Sequence, residues 1–218
     1  MIDRRLFLAA APSLALAGAA TAQNDRAPGG APRIPRIGAG DVPIGSAAAS
    51  VQVIEYASFS CPHCAAWNAE VWPAFRRRYV DTGLVRFALR ELLTDPPSMA
   101  AAGAIVARCA EPARYYDAAD ALFAAQQRLF AAERPIEVYA QIGARAGLSA
   151  TRVTACLTDR GRLDALNARV QSAVAAGIDS TPTFVLNGRK LGDDHSLAAL
   201  SAAIDPLLTP AQRARLPA

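Results

Sequence analysis

Cys61-Pro62-His63-Cys64 is the stretch of this 218-residue chain whose residue types and spacing could do chemistry. It follows an apolar run, Val51 to Ser58, and precedes a helix-like one, Ala65 to Tyr79. Strand, C-x-x-C, helix is the order in which a dithiol/disulfide pair is presented. A zinc site uses the same spacing but needs two further ligands. A helix start leaves backbone N–H groups without partners, and the macrodipole makes that end positive. A thiol placed there is stabilised as the thiolate, its reactive form. Cys61 would occupy that terminus, with Pro62 in the first turn, where a missing N–H costs nothing. Cys64, three residues on, lies on the same helical face and can close a short disulfide with Cys61. Cys61 is read as the exposed sulfur and Cys64 as the one tucked beneath it.

Two neighbours bear on that pair. The imidazolium of His63, or its N–H as a donor, would favour the Cys61 thiolate and so make the disulfide a stronger oxidant. The plainer alternative is a solvated surface histidine. Glu55 is a carboxylate in an otherwise apolar strand. Buried beneath the sulfurs it would hold its proton to higher pH and could exchange it with Cys64; facing an edge it would do nothing.

The elements that must position these residues run in a simple order. Arg4 and Arg5, an apolar stretch from Leu6 to Ala19 and Ala20-Thr21-Ala22 read as an export signal cleaved after Ala22. Arg4-Arg5-Leu6-Phe7-Leu8 also fits a twin-arginine signal, although Asp3 stands where Ser or Thr is usual. No Cys precedes residue 61, which excludes a lipoprotein anchor. Cleavage leaves 196 residues and takes the formal net charge from +4 to +3, too little and too dispersed to argue for nucleic acid. Arg76-Arg77-Arg78 reads as a solvated face. No later stretch has the apolar length of a membrane span.

Residues 23–42 read as a flexible linker, with Val42-Pro43-Ile44-Gly45 leading into the domain at residue 43. Val51–Ala57 is the predicted central strand. Ala65–Val80 is a helix that Pro73 should kink, with Trp67 and Trp72 as core or rim aromatics. Val85–Leu92 is the next strand. From Pro97 to about Ile178 the period turns helical, with five helices predicted: 98–110, 113–130, 136–146, 150–157 and 162–176. Helices between strands, with strands resuming afterwards, make an insertion. Asn187-Gly188 is a type I′ hairpin signal, Ser196 caps a closing helix over 197–208, and the tail 209–218 is expected to fray.

C-P-H-C after a strand, Glu55 six residues before the first Cys, and a distal Thr181-Pro182 together resemble the DsbA-type thiol:disulfide oxidoreductases. The resemblance covers about residues 43–208 and implies an α/β thioredoxin fold with an inserted all-helical domain, working in the periplasm. It also implies a cis bond before Pro182, turning the Thr181 backbone outward so that a substrate segment can pair with it; an ordinary trans proline at a strand start is the alternative. Some relatives carry a second disulfide. An even cysteine count in an exported chain suits one between Cys109 and Cys156, against two free thiols or a zinc site shared with Cys61 and Cys64. His195, beside Asp193 and Asp194, reads as a loop residue.

The resulting expectation is a monomeric protein-thiol oxidase that acts on reduced, exported proteins without metal or organic cofactor. It would be re-oxidised by a DsbB-like, quinone-linked membrane protein. A reductase or isomerase on the same fold stays open, because threonine before the proline occurs in those relatives too. The short N-terminal segment, without room for a dimerisation domain, lowers the isomerase reading. A zinc module and a non-catalytic chaperone are the rivals of other classes.

Overall fold

The computed structural model describes residues 34–217; the predicted export signal and the first part of the linker lie outside them. Val51–Ala57 forms β2, the centre of a five-stranded sheet of order β1-β3-β2-β4-β5. Its neighbours are β3, Val85–Glu91, running parallel, and β4, Thr183–Leu186, running antiparallel. Two-residue strands close the edges: β1, Pro43–Ile44, on β3, and β5, Arg189–Lys190, on β4. A parallel pair needs a crossover. Between β2 and β3 it is made by α1, Pro62–Glu70, α2, Trp72–Phe75, and a π turn over Arg76–Val80.

β2 is buried on both faces, which is why it reads as a nearly continuous apolar run. Val51 and Val53 join the larger core against α1 and the insertion. Ile54 and Tyr56 join a smaller one closed by Ala173 and Ile178. Ile34 and Ile37 are buried in that smaller core as well. The guanidinium of Arg90 grips Asp41 through two 2.8 Å bonds and donates to the carbonyls of Pro35 and Arg36. The expected flexible linker over 23–42 therefore does not hold for its described part: residues 34–42 are packed on the sheet, and the ordered unit begins before Pro43.

The helical insertion comprises α3, Pro97–Cys109, α4, Tyr115–Ala124, α5, Gln126–Ala131, α6, Pro135–Arg145, α7, Ala150–Leu157, and α8, Arg160–Ala175. One predicted helix, 113–130, is thus a 3-10 turn and two helices, broken at Ala125 (φ −92°, ψ 1°). No Pro or Gly marks that break. The helix predicted over 65–80 is interrupted at the single residue Val71, just before Pro73, where the backbone keeps right-handed helical angles (φ −108°, ψ −43°). Lacking an N–H, Pro73 cannot serve a carbonyl one turn back, and the chain restarts at Trp72. Asn187 (φ 50°) and Gly188 (φ 86°) both adopt the left-handed turn geometry the hairpin requires.

Two further expectations are corrected at the C-terminus. The closing helix is α9, Leu197–Ile204, followed by a 3-10 turn at Asp205–Leu207. The tail then forms a short helix, α10, Pro210–Arg213, held by a capping box between Thr209 and Gln212. Arg78, which reads in sequence as solvated, ties it down by bonding Asp205 and the Pro217 carbonyl. Among the described residues no helix is long and apolar enough to cross a membrane.

Cys109 at the end of α3 and Cys156 in α7 are joined, with Cα atoms 6.2 Å apart across a separation of 47 residues. Closing a loop of that length removes unfolded-chain entropy equivalent to about 4 kcal/mol. The double variant Cys109→Ser/Cys156→Ser should lose roughly that much unfolding free energy, most of it within the insertion. Urea unfolding followed by circular dichroism would measure it. An unchanged midpoint would show that the insertion does not depend on the bond.

Candidate active site

β2 delivers the chain to a tight turn, Ser58 to Cys61, closed by the Cys61 N–H on the Ser58 carbonyl at 3.0 Å. Cys61 then stands as the extended N-cap residue of α1 (φ −82°, ψ 118°), with Pro62 in the first turn. The side chain of a normal N-cap would accept a bond from the N–H groups just inside the helix. The Cys61 side chain makes no such cap bond, but the backbone N–H groups of His63 and Cys64 are directed so as to favour its anion. Both cysteines are free thiols. The pair is more enclosed than its predicted exposed-over-buried order: Cys61 is 6% exposed and Cys64 0%.

These surroundings separate the two sulfurs electrostatically. Cys61 is lowered from 9.0 to about 5. The largest cause is a hydrogen bond from the Cys64 thiol, working against burial; the Thr181 side chain and the backbone N–H groups of Cys64 and His63 add to it. Cys64 goes the other way. Burial pushes its thiol far above the ordinary range, and the negative charges of Glu55 and Cys61 reinforce this. At neutral pH the stable form is a Cys61 thiolate beside a protonated Cys64.

Glu55 lies in the middle of β2, 2% exposed. Burial, then the charges of Asp120 and Cys61, raise it from 4.5 to about 8. One of its oxygens has no hydrogen-bond partner among the described residues. A buried neutral acid next to a proton-accepting sulfur is suited to proton exchange. Thr181 approaches from the other side: the Cys61 thiol donates to its carbonyl at 3.5 Å, and its buried hydroxyl has no hydrogen-bond partner among the described residues. The Thr181-Pro182 bond is cis.

The structure thus brings Cys61, Cys64, Glu55, Thr181 and Pro182 to one place, while His63 is exposed. Its imidazole makes no hydrogen bond among the described residues. In this structure His63 reaches Cys61 through its backbone N–H. Cys109 and Cys156 are bonded to each other and so could not complete a four-cysteine zinc site. Among the described residues no His/Cys/Asp/Glu cluster could hold a metal. His195 accepts a bond from the Trp67 indole at 2.9 Å through its carbonyl and packs on Phe184.

Several site residues escaped the sequence reading. Ser58, Ser60 and Thr94 form a buried hydroxyl network under the turn, with O–O distances of 2.9 to 3.2 Å. Asp120 on α4 accepts a bond from Asn68 on α1 at 2.9 Å, and its charge is, after burial, the largest influence raising Glu55. Gln126 donates to the carbonyls of Phe59 and Cys61. Only Gln126 left a readable signal: it interrupts an apolar helical stripe formed by Ala119, Leu122 and Leu129. The second cis bond, Asp95-Pro96, had none.

Two pH dependences follow. Alkylation of Cys61 in the reduced protein should rise through about pH 5 and stay nearly flat from there to neutrality; a midpoint near 9 would contradict the arrangement described. Glu55 has a folded value above its unfolded one, so its ionisation opposes folding. That penalty is absent below 4.5, grows between 4.5 and about 8, and is constant above. Glu55→Gln should therefore match the parent protein in urea unfolding at about pH 4 and exceed it by about 3 kcal/mol at pH 7. Equal stability at both pH values would contradict a buried, raised carboxyl.

Residues 39–206 match the sequence profile of the thioredoxin family. A protein-disulfide oxidoreductase of Rickettsia conorii is 29% identical over 170 residues, covering 77% of this chain and 60% of the relative. The chain therefore spans about three fifths of the length of such relatives. In fold it is similar to Wolbachia pipientis α-DsbA1, with a TM-score of 0.72 at 23% identity over 79% of this chain and 92% of that one. It is likewise similar to oxidised BdbD from Bacillus subtilis, with a TM-score of 0.70 at 16% identity over 81% and 97% of the two chains. The chain belongs to the thioredoxin family, with a DsbA-like fold.

Proposed function

We propose that this protein is a periplasmic thiol:disulfide oxidoreductase that introduces disulfides into exported proteins. The observation that carries the reading is the opposite shift of two adjacent sulfurs, Cys61 down to about 5 and Cys64 far up. A stabilised Cys61 thiolate favours the reduced enzyme, and therefore makes the oxidised one accept electrons readily. The Rickettsia relatives, described as protein-disulfide oxidoreductases, support the same class of activity.

In the oxidised enzyme Cys61 and Cys64 share a disulfide. A substrate thiolate attacks the Cys61 sulfur; the new S–S bond forms as the Cys61–Cys64 bond breaks. Cys64 leaves and needs a proton at once, which Glu55, protonated at neutral pH, is placed to give. A second thiolate of the substrate attacks the substrate sulfur of the mixed disulfide. Cys61 departs as a thiolate stabilised by the helix N–H groups and Thr181. Two substrate thiols are oxidised and one enzyme disulfide is reduced. The Thr181 backbone, beside the Cys61 sulfur, is the docking edge for the incoming segment. The cycle closes when a DsbB-like, quinone-linked membrane protein re-oxidises the pair. An export signal, a Cys109–Cys156 bridge of a kind found in oxidising compartments, and a monomeric state complete this reading.

Equilibration with glutathione tests it through the Cys61–Cys64 reduction potential. Thiolate values of about 3.5 for DsbA and 7 for thioredoxin accompany potentials of about −120 and −270 mV. A value of about 5 lies between, so the expected potential is above about −200 mV. A result near −270 mV would reverse the direction of electron flow and favour a reductase. No dithiol transition at all would remove the reading altogether.

A further inference from the structure

The inserted helices do more than flank the dithiol: they hold the turn that carries it. The ring of Phe59 packs against that of Phe123 on α4, tilted by 34° with centroids 4.8 Å apart. On its other side lies Gly103 of α3, where a Cβ would fall 2.7 Å from the Phe59 Cβ. Immediately after α4 the chain breaks at Ala125, and this turns Gln126 inward. Its side chain is 2% exposed, and its Nε2 donates to the carbonyls of Phe59 at 3.1 Å and Cys61 at 3.0 Å. Both partners can only accept, so the amide must present its NH2 end here.

We propose that Gln126 is a positioning residue for the Cys61 thiolate. Its NH2 group bridges the two carbonyls that flank the reactive turn and fixes how the first turn of α1 faces the sulfur. The inference rests on the reading of Cys61 as the reactive sulfur, the one a substrate thiolate attacks and that later leaves as the thiolate. Two effects operate together. The Cys61 carbonyl already accepts the Ala65 N–H at 3.2 Å, the first bond of α1. A second donor on it fixes the peptide plane of the N-cap, and so the direction in which the His63 and Cys64 N–H groups point. In addition, the carbonyl oxygens of residues 59 and 61 are negative ends of dipoles close to a developing thiolate. A donor on each reduces that repulsion in a place where water cannot. The Phe59 carbonyl has this one described hydrogen bond, so nothing replaces Gln126 when it is removed.

Gln126→Leu removes the donor and leaves an apolar side chain in its place; Gln126→Glu keeps the shape and puts acceptor oxygens against acceptors. Tyr139→Phe is the control. It removes a buried hydrogen bond of the same insertion, to the Met99 carbonyl at 3.2 Å, away from the turn. Cys61 ionisation would be followed by thiolate absorbance, and the redox equilibrium by glutathione. Gln126→Leu should move the Cys61 midpoint up by about one pH unit and lower the equilibrium constant for oxidising glutathione about tenfold, which is about 30 mV. Gln126→Glu should do the same or more above neutral pH, and recover in part on acidification as its carboxyl regains a donor. Tyr139→Phe should lower the melting temperature and leave both quantities where they were. A Gln126→Leu protein that folds and melts lower while keeping the parent midpoint and potential would overturn the proposal. If that variant does not fold, a glutathione equilibrium unchanged from the parent in Gln126→Glu above neutral pH, where the carboxylate has no donor to offer, overturns it equally. A parent protein with neither a low Cys61 midpoint nor a dithiol couple would overturn the proposed function instead, and this inference with it.

Discussion

Everything in this molecule depends on a helix beginning at a sulfur atom. The first N–H groups of an α-helix have no partner within it, and most proteins satisfy them with a serine, threonine or aspartate oxygen. In this protein the residue at that position is Cys61, whose sulfur meets those donors best as an anion. The dipole of α1, the thiol of Cys64 and the hydroxyl of Thr181 add to the same effect. Burial opposes it. A charge that is almost enclosed and yet favoured is held there by donors whose positions are fixed beforehand. The surrounding structure can be understood as what fixes them.

The second sulfur shows the complementary use of burial. Cys64 and Glu55 are in the same apolar core, and neither can ionise there cheaply. Each therefore keeps a proton over the range in which Cys61 has lost its own. Placing a strained acid in the middle of the central strand costs stability, a familiar feature of sites whose chemistry needs a group in its less soluble state. The cost is tolerated because β2 is bonded on both sides and buried on both faces.

The helical block supplies the remaining constraint. α3, α4 and α5 reach over the turn and hold Phe59 and the carbonyls next to Cys61. The block is in turn closed by the Cys109–Cys156 bond and fastened to β3 by the buried Glu91, which takes Arg108 from α3 and Arg169 from α8. A rigid insertion bonded to the turn can then determine the geometry of the reactive sulfur from outside the sheet.

Much of this was legible in the sequence by itself. The C-x-x-C between a strand and a helix, the two-sided burial of Val51–Ala57, the helical period after Pro97 and the Asn187-Gly188 turn are all local signals: each depends on residues within one or two turns of chain. The rest was decided only in three dimensions. Gln126 and Asp120 act across more than fifty residues, Thr94 across more than thirty, and no local period points to their partners. The inward turn at Ala125 carries no breaker residue, and Ile34 and Ile37 lie in a Pro- and Gly-rich segment whose composition suggests a linker. His63 shows the same limit at the site itself. Its place between the cysteines suggested an electrostatic role for the ring, but the helix turns that ring to solvent and offers the sulfur its backbone N–H. Residue type specifies which groups can interact; the distances that make one interaction outweigh another are set when the sheet and the insertion close on each other.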